Sequence, residues 1–218
     1  MSSRAGTRAA AHPRKRIGAG VLFAAAIVLV GAMAWDTKVI EVGGEDELQD
    51  GSFSAERYGE EQFIRIQASV EERAVDAEEL ANAIAEDQTA AGSRYGVPTG
   101  VAPAIPVRFT GVVGEGRSGI YVVDVRGVPE DLTIRVQTGP AINGTDLRDA
   151  TGDIGFGQFT NQIEYQNAGS AINEAMKNQV LSEIDASDLS GKNISVTGVF
   201  KLVNQKNWLI TPVRISVQ

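Results

Sequence analysis

The chain has 218 residues, with 28 acidic and 20 basic side chains, a formal net charge of −8, no cysteine and a single histidine. Nucleic-acid binding needs a basic footprint to displace counterions from phosphates, and none exists beyond the N-terminal tail, which excludes that function and strong attraction to an anionic membrane surface. His12 precedes the first apolar segment, so the rest of the chain lacks disulfides, a thiol nucleophile, a histidine base and the usual zinc ligands.

Residues 1–16 form a basic tail, with Arg4, Arg8, Arg14, Lys15 and Arg16 and no acidic residue. Ile17–Trp35 (IGAGVLFAAAIVLVGAMAW) then carries no charge. As a helix it spans roughly 28 Å, close to the hydrocarbon thickness of a bilayer. The basic side stays in the cytoplasm, so residues 17–35 read as a single-pass transmembrane anchor, with Trp35 at the outer interface. Ala32-Met33-Ala34 also matches a signal-peptidase site, and cleavage after Ala34 is the competing reading. The apolar run exceeds the usual signal-peptide core of about 7–15 residues, which favours the anchor. Both readings place the remaining chain outside the cytoplasm. Residues 36–54 (with GGEDELQDGS) form an acidic linker; Glu45-Asp46-Glu47 reads as solvated stalk, because no calcium-loop pattern surrounds it.

A single extracytoplasmic domain is expected over residues 55–218. It opens with a helix within Ala55–Ser69 and a clearer one over Ala74–Ser93, where Val75, Leu80, Ala81 and Ile84 share a face and Asp76, Glu78 and Glu79 favour the N-terminal end of the dipole. Gly96 is the expected C-cap, and Gly96–Pro106 a proline-rich connection. The period then becomes that of strands: Val107–Gly114, Gly119–Val125 and Leu132–Gln137. A helix over Ala168–Ile184 follows, with Ile172, Met176, Val180 and Ile184 on one face. Strands at Asn193–Val203 and Trp208–Val217 form a hairpin through Asn204–Asn207. This is an α+β chain whose β-β-β-α-β-β order is that of an OB-fold, a small Greek-key barrel.

Between the third strand and that helix lies Gly139–Asn167 (GPAINGTDLRDATGDIGFGQFTNQIEYQN), dense in glycine and short polar side chains. Such a segment is either a structural clasp or the lining of a site. Arg148 and Asp149, with Asp146 and Asp153 nearby, have the planar groups that pair with vicinal hydroxyls of a sugar. On the structural reading, Thr145 caps a short helical turn and Arg148 pairs internally with a carboxylate. Asn161 and Gln162 either contact a ligand or satisfy backbone groups where the helix begins. Phe156 and Phe159 are expected in the core.

The segment GPAINGTDLRDATGDIGFGQFTNQIEYQNAGSAINEAM, with AVDAEELANAIAEDQTAAGSRYG before it and ITPVRISV after it, resembles domain of unknown function 2291. That bacterial family is described as predicted periplasmic lipoproteins, and the resemblance runs from about Phe53 to the C-terminus, including the turn Arg117-Ser118-Gly119. It implies an accessory role in uptake beside sugar ABC transporter components, and the lack of histidine and cysteine in the outer domain points to binding without enzymatic activity. The candidate ligand-binding residues are then Arg117, Thr145, Arg148, Asp149, Asn161 and Gln162, with no catalytic residue, metal or cofactor. The typical member carries a lipobox cysteine; here Ile17–Trp35 takes its place as anchor. Two alternatives stand beside this reading: a cell-envelope structural or assembly module with no small ligand, and a glycan-directed enzyme using Asp149 and Asp153.

Overall fold

The computed structural model describes residues 53–186 and 189–218. The expected basic tail, the apolar segment 17–35 and nearly all of the acidic linker lie outside the described residues. Among those described, no helix is long and apolar enough to cross a membrane.

Alternation over 107–113 marks the central strand, β2 (Ala104–Arg117), whose first residues are buried throughout and whose end is exposed. Phe109, Gly111 and Val113 face inward, while Arg108, Thr110 and Val112 face out. It is long enough to pair antiparallel with β5 (Asn193–Lys201) along its first part and with β3 (Ile120–Val125) along its last. β3 pairs antiparallel with β4 (Thr133–Gln137), β4 parallel with β6 (Asn207–Val217), and β6 antiparallel with β5. The β2–β5 pairing closes the ring, which leaves the barrel strands no long open edge. Short β1 (Val75–Asp76) lies parallel to β2 at Val107 and Arg108. Phe200 and Trp208 fill the interior, fully buried and stacked with ring centroids 4.6 Å apart.

Helix α1 (Ala55–Arg73) extends beyond the expected 55–69 and buries Phe63, Ile66 and Val70. The single helix expected over Ala74–Ser93 is instead three elements. Val75–Asp76 leaves the helical path to pair with β2, then α2 (Ala77–Glu86) and α3 (Gln88–Tyr95) follow, divided at Asp87. Aspartate is a weak interior residue and a strong N-cap. Asp87 accepts hydrogen bonds from the backbone N–H of Thr89 and Ala90, while Asp76 caps α2 in the same way through Glu78. After the one-turn α4 (Asp146–Asp149), α5 (Gln162–Met176) starts earlier than the expected Ala168 and passes into a π-helical turn, Lys177–Leu181. The apolar stripe located the buried half of α5. Its polar first turns carried no such signal.

Two glycines have positional work. At the tip between β2 and β3, Ser118 and Gly119 adopt φ of 53° and 75°. A Cβ on Gly119 would collide with the Gly139 carbonyl, and the Thr138 N–H donates to the Gly119 carbonyl at 2.7 Å, so the polar segment begins pressed against this hairpin. Gly59 lets α1 approach α5, where a Cβ would lie 2.5 Å from the Ala171 carbonyl atoms. Gly59→Ala, which helix propensity alone would favour, is expected to lower stability by about 1–3 kcal/mol through overpacking. A denaturant titration of the variant checks this, and unchanged or increased stability would show that the helices move apart at little cost.

Candidate functional site

Thr145 and Asp149 stand one helical turn apart, so their side chains meet on one face. The Thr145 hydroxyl donates to Asp149 Oδ2 at 2.7 Å and accepts from no backbone N–H of α4, so it caps nothing, contrary to the sequence expectation. Lys201, at the end of β5, donates to both Thr145 Oγ1 (2.6 Å) and Asp149 Oδ2 (2.7 Å). Arg148 Nε donates to Asp149 Oδ1 at 2.8 Å, and its guanidinium carbon lies 3.9 Å from the centre of the Tyr165 ring on α5. The Arg148 and Asp149 side chains keep only 11% and 12% of their exposure. Burial works to raise the Asp149 pKa, but the bonds from Arg148, Lys201 and Thr145 outweigh it and hold the carboxyl below its ordinary range.

A second polar group lies on the barrel side of α4. Gln137 is buried at the end of β4; its amide oxygen accepts from the Asn143 N–H, and its amide nitrogen donates to the Asn143 carbonyl and to Thr211 Oγ1. Thr211 donates to Asp146 Oδ2 at 3.3 Å. Asn173 of α5 donates to the Gly144 carbonyl, and Arg73 of α1 to the Ala150 carbonyl at 2.6 Å. The loop is therefore tied to β4, β6, α1 and α5. Burial pushes the Asp146 pKa up to about 6, with Lys201 and Thr211 offsetting part of that rise.

Of the six candidates, Arg148 and Asp149 line a cleft of about 200 Å³ with Thr99, Gly100, Gly152 and Tyr165. Thr145 supports them from behind through Asp149 and Lys201. The other three lie elsewhere. Arg117 is exposed at the end of β2, Asn161 caps α5 by accepting from the Glu164 N–H, and Gln162 is the exposed first residue of that helix. Asp153 is exposed and outside the cleft lining, so it forms no acid–base pair with Asp149 in one cavity. Phe156, expected in the core, is 50% exposed and meets the Tyr165 ring edge-on, while Phe159 is half-buried against Tyr58 and Tyr165. The sequence reading missed Lys201, Tyr165 and Thr99. A lysine directly after the buried Phe200 was the only hint, and no local spacing tied it to Asp149. Among the described residues, no group of three or more His, Cys, Asp or Glu is placed to hold a metal ion.

The closed five-stranded ring, the parallel β4–β6 pair and the helix between the third and fourth barrel strands define an OB-fold domain. A crystal structure of an OB-fold protein from Thermotoga maritima superposes with a TM-score of 0.62 at 21% identity, covering 77% of this chain and 99% of its own, which supports the fold. The family model described as "Predicted periplasmic lipoprotein (DUF2291)" matches residues 23–216, and the chain belongs to that family. The described domain is accordingly extracytoplasmic, although the sequence has no cysteine to carry a lipid. No protein of curated function matches it.

The two aspartates of α4 predict opposite pH responses. The folded-state pKa of Asp146 lies above its unfolded value, so its contribution to stability is complete below about pH 4 and is lost as pH rises through about 6. Asp146→Asn should remove that loss, raising stability relative to the parent by up to about 3 kcal/mol between pH 4 and 7. Asp149 contributes above the ordinary carboxylate range and loses its effect as pH falls through its lowered pKa. Asp149→Asn leaves Arg148 and Lys201 without their shared counter-ion and should cost about 3 kcal/mol at pH 7. Chemical denaturation of both variants across pH 4–8 checks the pair; matching profiles would contradict the assignment.

Proposed function

We propose that this domain is a non-enzymatic binding module of a sugar ABC transport system, held at the outer face of the membrane by Ile17–Trp35 with the N-terminus in the cytoplasm. The observation that carries the proposal is the Arg148 cleft. A guanidinium is fixed by a buried carboxylate through Nε and by an aromatic ring, and the side chain lines an opening with Thr99, Gly100 and Gly152 while its Nη groups have no partner among the described residues. A residue needed only as a clasp gains nothing from such an opening. A guanidinium held ready in it loses little freedom when a ligand arrives. The cleft is smaller than the roughly 300–1,000 Å³ typical of drug-sized ligands, so it suits one small molecule or one end of a longer one.

The reading without catalysis rests on the geometry of the carboxylates. Asp149 has both oxygens engaged, Asp146 is turned toward Thr211, and Asp153 is exposed outside the cleft. A cleft at Arg148 also weighs against a purely structural envelope module. The test is thermal unfolding of the full chain in detergent against pentoses, hexoses, polyols and their acid derivatives. A ligand at a hundred times its dissociation constant should stabilise the fold by about 2.7 kcal/mol, a shift of several degrees. A flat response across the whole panel would remove the binding reading.

A further inference from the structure

We infer that the cleft selects a small monoanionic carboxylate of the sugar-acid type, gripped by the free edge of Arg148, over a neutral sugar. The inference rests on the binding role proposed above and names its ligand class.

Hydrogen-bond accounting at the cleft separates the two classes. A neutral sugar presents hydroxyls that both donate and accept, and sites for such ligands pair donors with free acceptors. Here both oxygens of the charged acceptor already take donors from within the chain. Asp149 Oδ1 takes the Arg148 Nε–H, and Oδ2 takes the Thr145 hydroxyl and the Lys201 ammonium. Thr99 Oγ1 donates to the Ala102 carbonyl and accepts from the N–H groups of Val101 and Ala102, so it is occupied in both senses. Arg148 differs. Arg148 lines the cleft, and of its five N–H donors only the one on Nε has an acceptor among the described residues, which leaves its two Nη groups uncommitted. Among the described residues no fully buried side-chain nitrogen or oxygen lacks a partner, so those Nη groups keep some contact with solvent although the side chain is only 11% exposed. Among the charged side chains of the lining, the uncommitted groups are thus the Arg148 Nη donors, in the planar paired form that matches a carboxylate.

Charge sets the valence. The ionised groups on the lining are Arg148 and Asp149, one of each sign, and Asp149 is already shared with Lys201. A single fork with no cationic surplus on the lining suits one negative charge. A phosphate dianion would bring a second charge into a buried setting with nothing on the lining to balance it. The Tyr165 ring, 3.9 Å from the guanidinium carbon, holds the fork beside α5.

The test uses the full chain in detergent, titrated calorimetrically with glucuronate, glucose and inorganic phosphate. Glucuronate should bind at least tenfold tighter than either of the others. Arg148→Lys keeps the charge but loses the fork, and should weaken glucuronate at least tenfold. Because that variant also disturbs the bond to Asp149, Gly100→Asp is the second test. Gly100 lines the cleft and an added Cβ there meets nothing within 4 Å, so the variant should keep the parent melting temperature. It places a competing carboxylate opposite Arg148 and should abolish glucuronate binding. Glucose bound as well as glucuronate, phosphate preferred to it, or Gly100→Asp without effect would each overturn the anion assignment while leaving a binding cleft. Failure of all three ligands and of the wider sugar panel would remove the binding function as well.

Discussion

The buried carboxylate of Asp149 is the constraint on which the rest of the site depends. Removed from water alone it would cost several kcal/mol, and it is tolerated because three donors from separate parts of the chain converge on it. Lys201 brings the end of a barrel strand, Thr145 the start of α4, and Arg148 the link to Tyr165 on α5. A buried ion pair is a poor source of net stability, because desolvation cancels much of the attraction. What it supplies here is position. The polar side of a loop that buries Leu147, Ala150 and Ile154 is fixed to a barrel strand and a helix, and one arginine is left with its Nη groups unpaired among the described residues.

Behind this ion group, a second layer seals the loop to the barrel without charge pairing. Gln137 reads the backbone of Asn143 from both its amide atoms, as a strand neighbour would, and passes a hydrogen bond through Thr211 to Asp146. Asp146 and Asp149 thus share one helical turn and have opposite electrostatics. One is held ionised by cations, while the other is pushed toward its neutral form by burial. That contrast comes from how many donors each side chain meets: Arg148, Lys201 and Thr145 together outweigh the burial of Asp149, whereas Lys201 and the Thr211 hydroxyl offset only part of that of Asp146.

The barrel was legible in the sequence because its signals are local. Strand-like runs at β2 to β6, the hairpin turn at Asn204–Asn207 and the element order were enough to give an α+β OB-fold. The helices were legible where an apolar stripe existed, and failed where capping decided the outcome. Asp87 divides α2 from α3, and Asn161 starts α5 ahead of its buried face. At the site, Arg148 and Asp149 stood out as charged neighbours in a glycine-rich segment. The contact of Lys201 with Asp149, across a separation of 52 residues, follows from barrel closure and leaves no trace in spacing. Arg117, Asn161 and Gln162 were polar residues at turns and helix starts, where capping and solvation account for them. Phe156 was read as core from its residue type, yet it meets Tyr165 from the surface side.

The central claim is that Arg148 has one edge committed to Asp149 and the other open to a ligand. Nitrogen-detected NMR of the arginine side chains in the full chain, with and without glucuronate, measures both edges separately. The account predicts a slowly exchanging Arg148 Nε–H in the free protein that persists on titration, while the Nη resonances shift and slow their exchange as ligand binds. An Nε–H that exchanges as fast as that of a free arginine, or Nη resonances unmoved at saturating ligand, would contradict it.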